Sequence, residues 1–203
     1  MGLRERKKQE TRDALSWSAV RLIIERGYDK VLVEDVATAA GVSPRTFNNY
    51  FSSKAEAVAA RQLDRCLRVA DDLRARPAQE PLWEAITHAL VAQTVAGPEV
   101  LAHPVPDRER WAAGLRAMMA VPAIQAEILR AVATAETEVA AAVGERTSTD
   151  PTTDMYPRLV AATVMAAFNV ASEQFQREGA RSAGIQELLV DAMGQVAAGL
   201  PPP

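Results

Sequence analysis

The sequence predicts an all-α protein: an N-terminal three-helix helix-turn-helix domain followed by a larger C-terminal helical domain. Three observations predict it. Apolar residues recur at helical spacing from Leu15 to Val196. Helix start and stop signals punctuate the chain at short intervals. The one run with strand character, Val31-Leu32-Val33, is too short to matter.

In the first segment Leu15, Ala19, Leu22 and Ile23 share one face, and Trp17, Val20 and Ile24 widen it. Gly27 reads as the left-handed stop of that helix. A short helix is expected over Glu34 to Ala40, with both acids in its first turn, and Gly41 ends it. Ser43 can cap the next helix and Pro44 suits its first position. Ser53-Lys54-Ala55-Glu56 reads as a capping box opening a long helix to about Arg76, before Pro77 and Pro81.

Leu82, Ile86, Ala89 and Leu90 make the next face, and Gly97, Pro98, Pro104 and Pro106 predict a loop. Trp111, Leu115 and Met118 then lead to Pro122, and Ile124 to Val143 keeps helical spacing for almost five turns. Gly144 to Asp154 is expected to be a polar loop. Long helices are expected over Leu159–Glu178 and Ile185–Leu200, and the Pro201-Pro202-Pro203 tail cannot be helical.

The chain has 203 residues, 48% hydrophobic and 24% charged, with a net charge of −3. A chain of that size can bury about 70% of its unfolded surface, and the composition excludes disordered and fibrous classes. No run approaches the roughly 18 apolar residues of a membrane span. The basic start has no apolar signal core behind it, so a cytoplasmic protein without a membrane partner is expected. Cys66 stands alone, which excludes an intrachain disulfide and a thiolate metal site.

Charge is uneven. Residues 1–54 hold ten Lys/Arg and seven Asp/Glu, while the remainder holds thirteen and nineteen. The excess is complete by Arg12, through Arg4, Arg6, Lys7 and Lys8. A basic arm on an otherwise acidic protein points to a polyanion at that end only.

Residues 34–51 form a helix-turn-helix pattern. Small Ala37 lets two helices cross closely, Gly41 allows the turn, and Val36, Val42, Phe47 and Phe51 pin the pair to the first helix. Arg45, Thr46, Asn48, Asn49 and Tyr50 are left for solvent, hydrogen-bonding side chains of the kinds that read base edges or grip phosphate. The helix start can approach a phosphate, and Lys54 could pair with the nucleic-acid backbone.

Gly27-Tyr28-Asp29, Val33-Glu34-Asp35-Val36-Ala37, Ala40-Gly41-Val42-Ser43, Thr46-Phe47, Tyr50-Phe51 and Ser53-Lys54, in that order, resemble the N-terminal domain of the tetracycline-repressor (TetR) family of bacterial transcription regulators. The match covers roughly residues 10–60. The resemblance implies an all-helical homodimer that binds double-stranded operator DNA, with domains at 1–52 for DNA and 53–203 for effector binding and dimerisation through the last two long helices. Carried over by position, Arg45, Thr46, Asn48 and Asn49 face base edges, and Tyr50 and Lys54 contact phosphates. The family places a hydroxyl at the cap of the second helix. This chain has Leu32 there, so that cap and its phosphate contact do not carry over.

The expected function is a transcriptional repressor on a palindromic operator, released by a hydrophobic small molecule. Trp83, Trp111, Leu115, Met118, Met119, Met165 and Phe168 are the candidate effector pocket, because methionine adapts to irregular ligands. His88, His103, Arg110 and Arg116 are among the few ionisable groups near them in sequence. Arg110-Trp111-Ala112, Pro122, Ile128-Leu129 and Arg158-Leu159-Val160-Ala161-Ala162 resemble the branch of the family that includes the mycofactocin-system regulator, which implies an acyl-CoA-like effector.

An enzyme is not expected. Glu136 and Glu138 do not share a helix face, and no nucleophile, metal set, phosphate loop or cofactor motif assembles. The alternatives are a helical interaction protein and an effector-insensitive regulator.

Overall fold

The computed structural model describes residues 2–95, 101–103, 107–178 and 184–201. Every regular element among them is helical, with no strand. The helices are α1 (Leu3–Arg26), α2 (Val33–Ala39), α3 (Pro44–Asn48), α4 (Lys54–Ala75), α5 (Leu82–Ala92), α6 (Arg108–Met119), α7 (Pro122–Thr147), α8 (Met155–Glu178) and α9 (Ile185–Ala197). A short 3-10 turn, Tyr28–Lys30, lies between α1 and α2. Gly97, Pro98, Pro104, Pro106, Pro202 and Pro203 lie outside the described residues.

Two compact units divide the chain: residues 1–62 with 96–131, and residues 63–95 with 132–203. In the first, the α1 face read from sequence is buried as expected: Leu15, Ala19, Leu22 and Ile23 stand in one core with Val36, Ala37, Phe47 and Phe51. Burying an aliphatic or aromatic side chain of this kind is worth about 1.5–3 kcal/mol. Ser16 is buried too, and its hydroxyl donates to the Ala57 carbonyl at 2.6 Å, tying α1 to α4. The basic arm is not a loose tail: α1 is helical from Leu3 onward. Gly27 stops it at φ +87, ψ 150. That is the extended region only glycine enters freely, not the left-handed helical region expected from the sequence.

Trp111, Leu115, Met118 and Met119 of α6 also pack in this unit. The Trp17 and Trp111 rings lie 5.5 Å apart and tilted. Ile124 and Ile128 at the start of α7 complete the core.

In the second unit the core joins Val69, Ala70 and Leu73 of α4 to Ala85, Ile86, Ala89 and Leu90 of α5, with Val139 and Val143 of α7 and Val160, Val164 and Phe168 of α8. Leu189 and Met193 of α9 close it. Arg146 binds the turn between α4 and α5, donating to the carbonyls of Arg76 (3.3 Å), Pro77 (2.5 Å) and Glu80 (2.6 Å).

Three boundaries in the C-terminal half differ from the sequence reading. α7 continues through Gly144 to Thr147, and Ser148, at φ +57, makes the stop. Gly144 serves a close approach instead: a Cβ there would meet the Thr149 carbonyl oxygen at 2.6 Å. α8 starts at Met155, four residues before Leu159, and α9 ends at Ala197.

Candidate nucleic-acid interface

The two-helix unit is set by local chemistry. Leu32 precedes α2 and carries no acceptor; its own amide donates to the Asp35 carboxylate at 2.8 Å, so only the acidic half of a cap is present. Gly41 turns the chain at φ +70, and the Val42 amide donates to the Ala37 carbonyl at 2.9 Å. Ser43 then caps α3, its hydroxyl accepting the Thr46 amide at 3.1 Å, with Pro44 at the first position. Phe47 points inward against Phe51, ring centroids 5.7 Å apart.

What faces outward follows from that. Arg45, Asn48 and Asn49 are exposed and make no side-chain hydrogen bond among the described residues. Thr46 is half-buried, its hydroxyl 2.9 Å from that of Ser43. Tyr50 is half-buried, packed on the core beside Phe51. The rim is therefore three exposed polar side chains flanked by two partly sheltered ones. Arg12 of α1 lies over the Phe51 ring, 4.8 Å from its centroid.

Lys54 is anchored from within the protein. Its ammonium donates to the carbonyls of Tyr28 (2.6 Å) and Val31 (2.7 Å) and sits 4.0 Å from the Tyr28 ring centroid. Two of its three donors are committed inside the protein. The reason is a tertiary contact between the 3-10 turn and the start of α4. A cation at the first position of α4 opposes the helix dipole, and the 3-10 turn has carbonyls that need donors. Tyr28 has its phenol pushed up by burial, with smaller contributions from the carboxylates of Asp29 and Glu127. The capping box is shifted as well. Ser53 accepts the Glu56 amide at 3.0 Å, but Glu56 reaches Ser52, taking its amide at 2.7 Å and its hydroxyl at 2.6 Å.

The seven side chains expected around an effector are divided between the two units. Trp111, Leu115, Met118 and Met119 belong to the core of the first unit. Trp83 packs on the core of the second. Met165 and Phe168 line a small cavity in the second unit, with Arg65, Cys66, Val69, Leu90, Val139 and Val164. Its volume is about 10 Å³, about what a single water requires. Arg65 and Cys66 escaped the sequence reading because nothing in Arg65-Cys66-Leu67 tells which face of α4 meets α8.

A helix-turn-helix with a capped, outward polar rim, attached to further long helices, sets the terms for comparison. Residues 18–60 match the model for bacterial regulatory proteins of the tetR family, and residues 80–201 match the MftR C-terminal domain model. The chain belongs to the TetR family. It is 32% identical over 176 residues to the HTH-type transcriptional regulator TcmR of Streptomyces glaucescens, covering 86% of this chain and 76% of that protein. It is 30% identical over 200 residues to MftR of Mycobacterium tuberculosis, named for mycofactocin biosynthesis, covering 96% and 93%.

Two solved structures share the fold of this TetR regulator. A TetR-family protein from Rhodococcus sp. superposes with a TM-score of 0.57 at 20% identity, covering 95% of this chain and 100% of that one. The fatty acid degradation regulator FadR from Bacillus halodurans gives 0.57 at 17%, covering 94% and 96%. This TetR protein is thus a transcriptional regulator rather than an enzyme. Among its described residues no single helix is long and apolar enough to cross a membrane.

Proposed function

We propose that this TetR-family regulator is a cytoplasmic repressor that binds a palindromic operator as a homodimer and is released by a hydrophobic small molecule. Residues 1–52 carry the DNA contacts and residues 53–203 the effector and dimer functions. The observation that carries the reading is the rim on α3: Arg45, Asn48 and Asn49 are exposed and unengaged beside a cap that holds the helix in place. Arg suits guanine and Asn suits adenine in the major groove. Thr46 extends the base-facing surface, and Tyr50 adds a phosphate contact from its half-buried position.

One such module makes few contacts, whereas a two-fold dimer reads half-sites about 34–36 Å apart or a multiple of that. Leu159 (54% exposed) and Val170 (62%) on α8, with Val190 (52%) on α9, supply an apolar surface for self-association. An effector acts only if it binds the DNA-incompetent form more tightly than the competent one. FadR is named for fatty acid degradation, and an acyl-chain effector, free or CoA-linked, suits the apolar walls of the second unit.

A gel-shift titration on the DNA upstream of the gene, repeated across salt concentrations, tests this. Specific binding that weakens steeply with salt supports the regulator reading. Absence of specific binding at low salt overturns it in favour of a helical interaction protein. DNA binding that no acyl compound relieves overturns the release step and leaves an effector-insensitive regulator.

A further inference from the structure

We propose that the first turns of α1, residues 3–12, lie along the DNA backbone outside the half-site that α3 reads, so that affinity depends on the flanking duplex but not on its sequence. The proposal rests on the operator reading above and adds a second surface to it. Residues 1–12 hold five basic and two acidic side chains in a chain whose net charge is −3. Because α1 is already helical at Leu3, those charges have fixed faces. Arg4, Lys7, Lys8, Thr11 and Arg12 recur at i, i+3, i+4, i+7 and i+8, which is one side of a helix. On the other side Glu10 pairs with Arg6 at 3.5 Å and Asp13 accepts from Gln9 at 3.0 Å, while Glu5 flanks the stripe. Arg4, Lys7 and Lys8 are exposed and make no side-chain hydrogen bond or ion pair among the described residues.

The stripe is the outward continuation of the buried face of α1. Leu15, Ala19 and Leu22 follow on the same side and are buried in one core with Phe47 of α3 and with Phe51. Between stripe and core, the Arg12 guanidinium lies 4.8 Å from the Phe51 ring centroid, and Phe51 stands three residues past the end of α3. Lys8 and Arg4 sit one and two turns further out on that side. At about 1.5 Å per residue the stripe runs about 12 Å from Arg12 to Arg4. A duplex strand carries a phosphate about every 3.4 Å, so several lie within its reach. Lysine and arginine grip phosphate without reading sequence. A membrane surface fits less well: Leu3 is the sole large apolar residue of the segment, so no apolar face is available to enter lipid.

The test uses the full-length protein and an operator palindrome located by footprinting on the DNA upstream of the gene. One duplex is trimmed to the ends of the palindrome, one is extended by about one helical turn on each side, and one carries the same extensions with shuffled sequence. In gel-shift titrations the extended duplex should bind at least tenfold more tightly than the trimmed one, and the shuffled extensions should serve equally well. The combined variant Arg4→Gln, Lys7→Gln, Lys8→Gln should lose that gain and keep its affinity for the trimmed site. Its salt slope on the extended duplex should fall by about one for each cation removed. Arg6→Gln, on the other side of the helix, should keep the gain. Equal affinity for trimmed and extended duplexes overturns the proposal and leaves the operator reading in place. An equal loss from Arg6→Gln does the same, because net charge and not the stripe then sets the gain. A gain that vanishes with shuffled extensions overturns it in favour of base readout. Binding to phosphatidylserine vesicles that the combined variant abolishes, without a gain from the extensions, overturns it in favour of a membrane. Failure to footprint or shift any upstream DNA overturns the operator reading itself. Should the combined variant fail to fold in a thermal melt, Lys8→Gln compared with Arg6→Gln decides.

Discussion

Gly114 of α6 lies so close to Ile24 of α1 that a Cβ on it would stand 2.7 Å from the Ile24 carbonyl oxygen and 2.7 Å from its Cγ2. The oxygen belongs to a helix backbone and cannot step aside. Gly114→Ala should therefore force α6 off α1 and destabilise the protein by about 1–3 kcal/mol, as overpacking does. Chemical denaturation with far-ultraviolet circular dichroism measures it. An unchanged midpoint would mean that the two helices are not in contact as described.

The Lys54 clamp makes a different kind of claim. Lys54→Met removes two charge-assisted hydrogen bonds and should cost about 1–3 kcal/mol of stability. The salt dependence of DNA binding should keep its slope, because no phosphate contact is lost. A slope smaller by about one would place the ammonium on the nucleic-acid backbone instead.

On α3, Arg45→Ala and Asn49→Ala should each weaken specific DNA binding by about 1–3 kcal/mol and leave thermal stability unchanged, since both side chains are exposed. Ser43→Ala should do the reverse first, lowering stability by about 1 kcal/mol through loss of the cap. Competition shifts with altered half-sites, beside thermal melts, separate the two behaviours.

For self-association, Val190→Glu is the direct probe. Val190 is 52% exposed in the single chain, so the substitution should leave the fold intact. A charge buried at a dimer contact is costly, so light scattering should find the variant monomeric where the wild type is dimeric. Retention of the wild-type mass would move the interface away from α9.

Acid should loosen the turn between α4 and α5. Arg76, by its hydrogen bonds, and then His88, 2.7 Å away, hold the Glu80 carboxyl down to about 2. In the unfolded chain a glutamate titrates near ~4.3. The folded state binds the proton less readily, so the contribution of Glu80 is full above that value and is lost as pH falls toward 2. Denaturation midpoints between pH 6 and pH 2.5 should fall more steeply for the wild type than for Glu80→Gln.

Much of this was legible in the amino-acid order, because the governing interactions are short-range. The Leu15, Ala19, Leu22 and Ile23 face, the Gly41 turn, the Ser43-Pro44 start and the exposed Arg45, Asn48 and Asn49 depend on neighbours within a few residues. Helix periodicity and capping determine them before any tertiary contact forms. Tertiary structure alone decided that Lys54 turns inward to Tyr28 and Val31. It also decided that Trp111 and Met118 belong to one core and Met165 and Phe168 to another. Each of these depends on which helix lies against which, and an apolar stripe records that a face is buried without recording its partner.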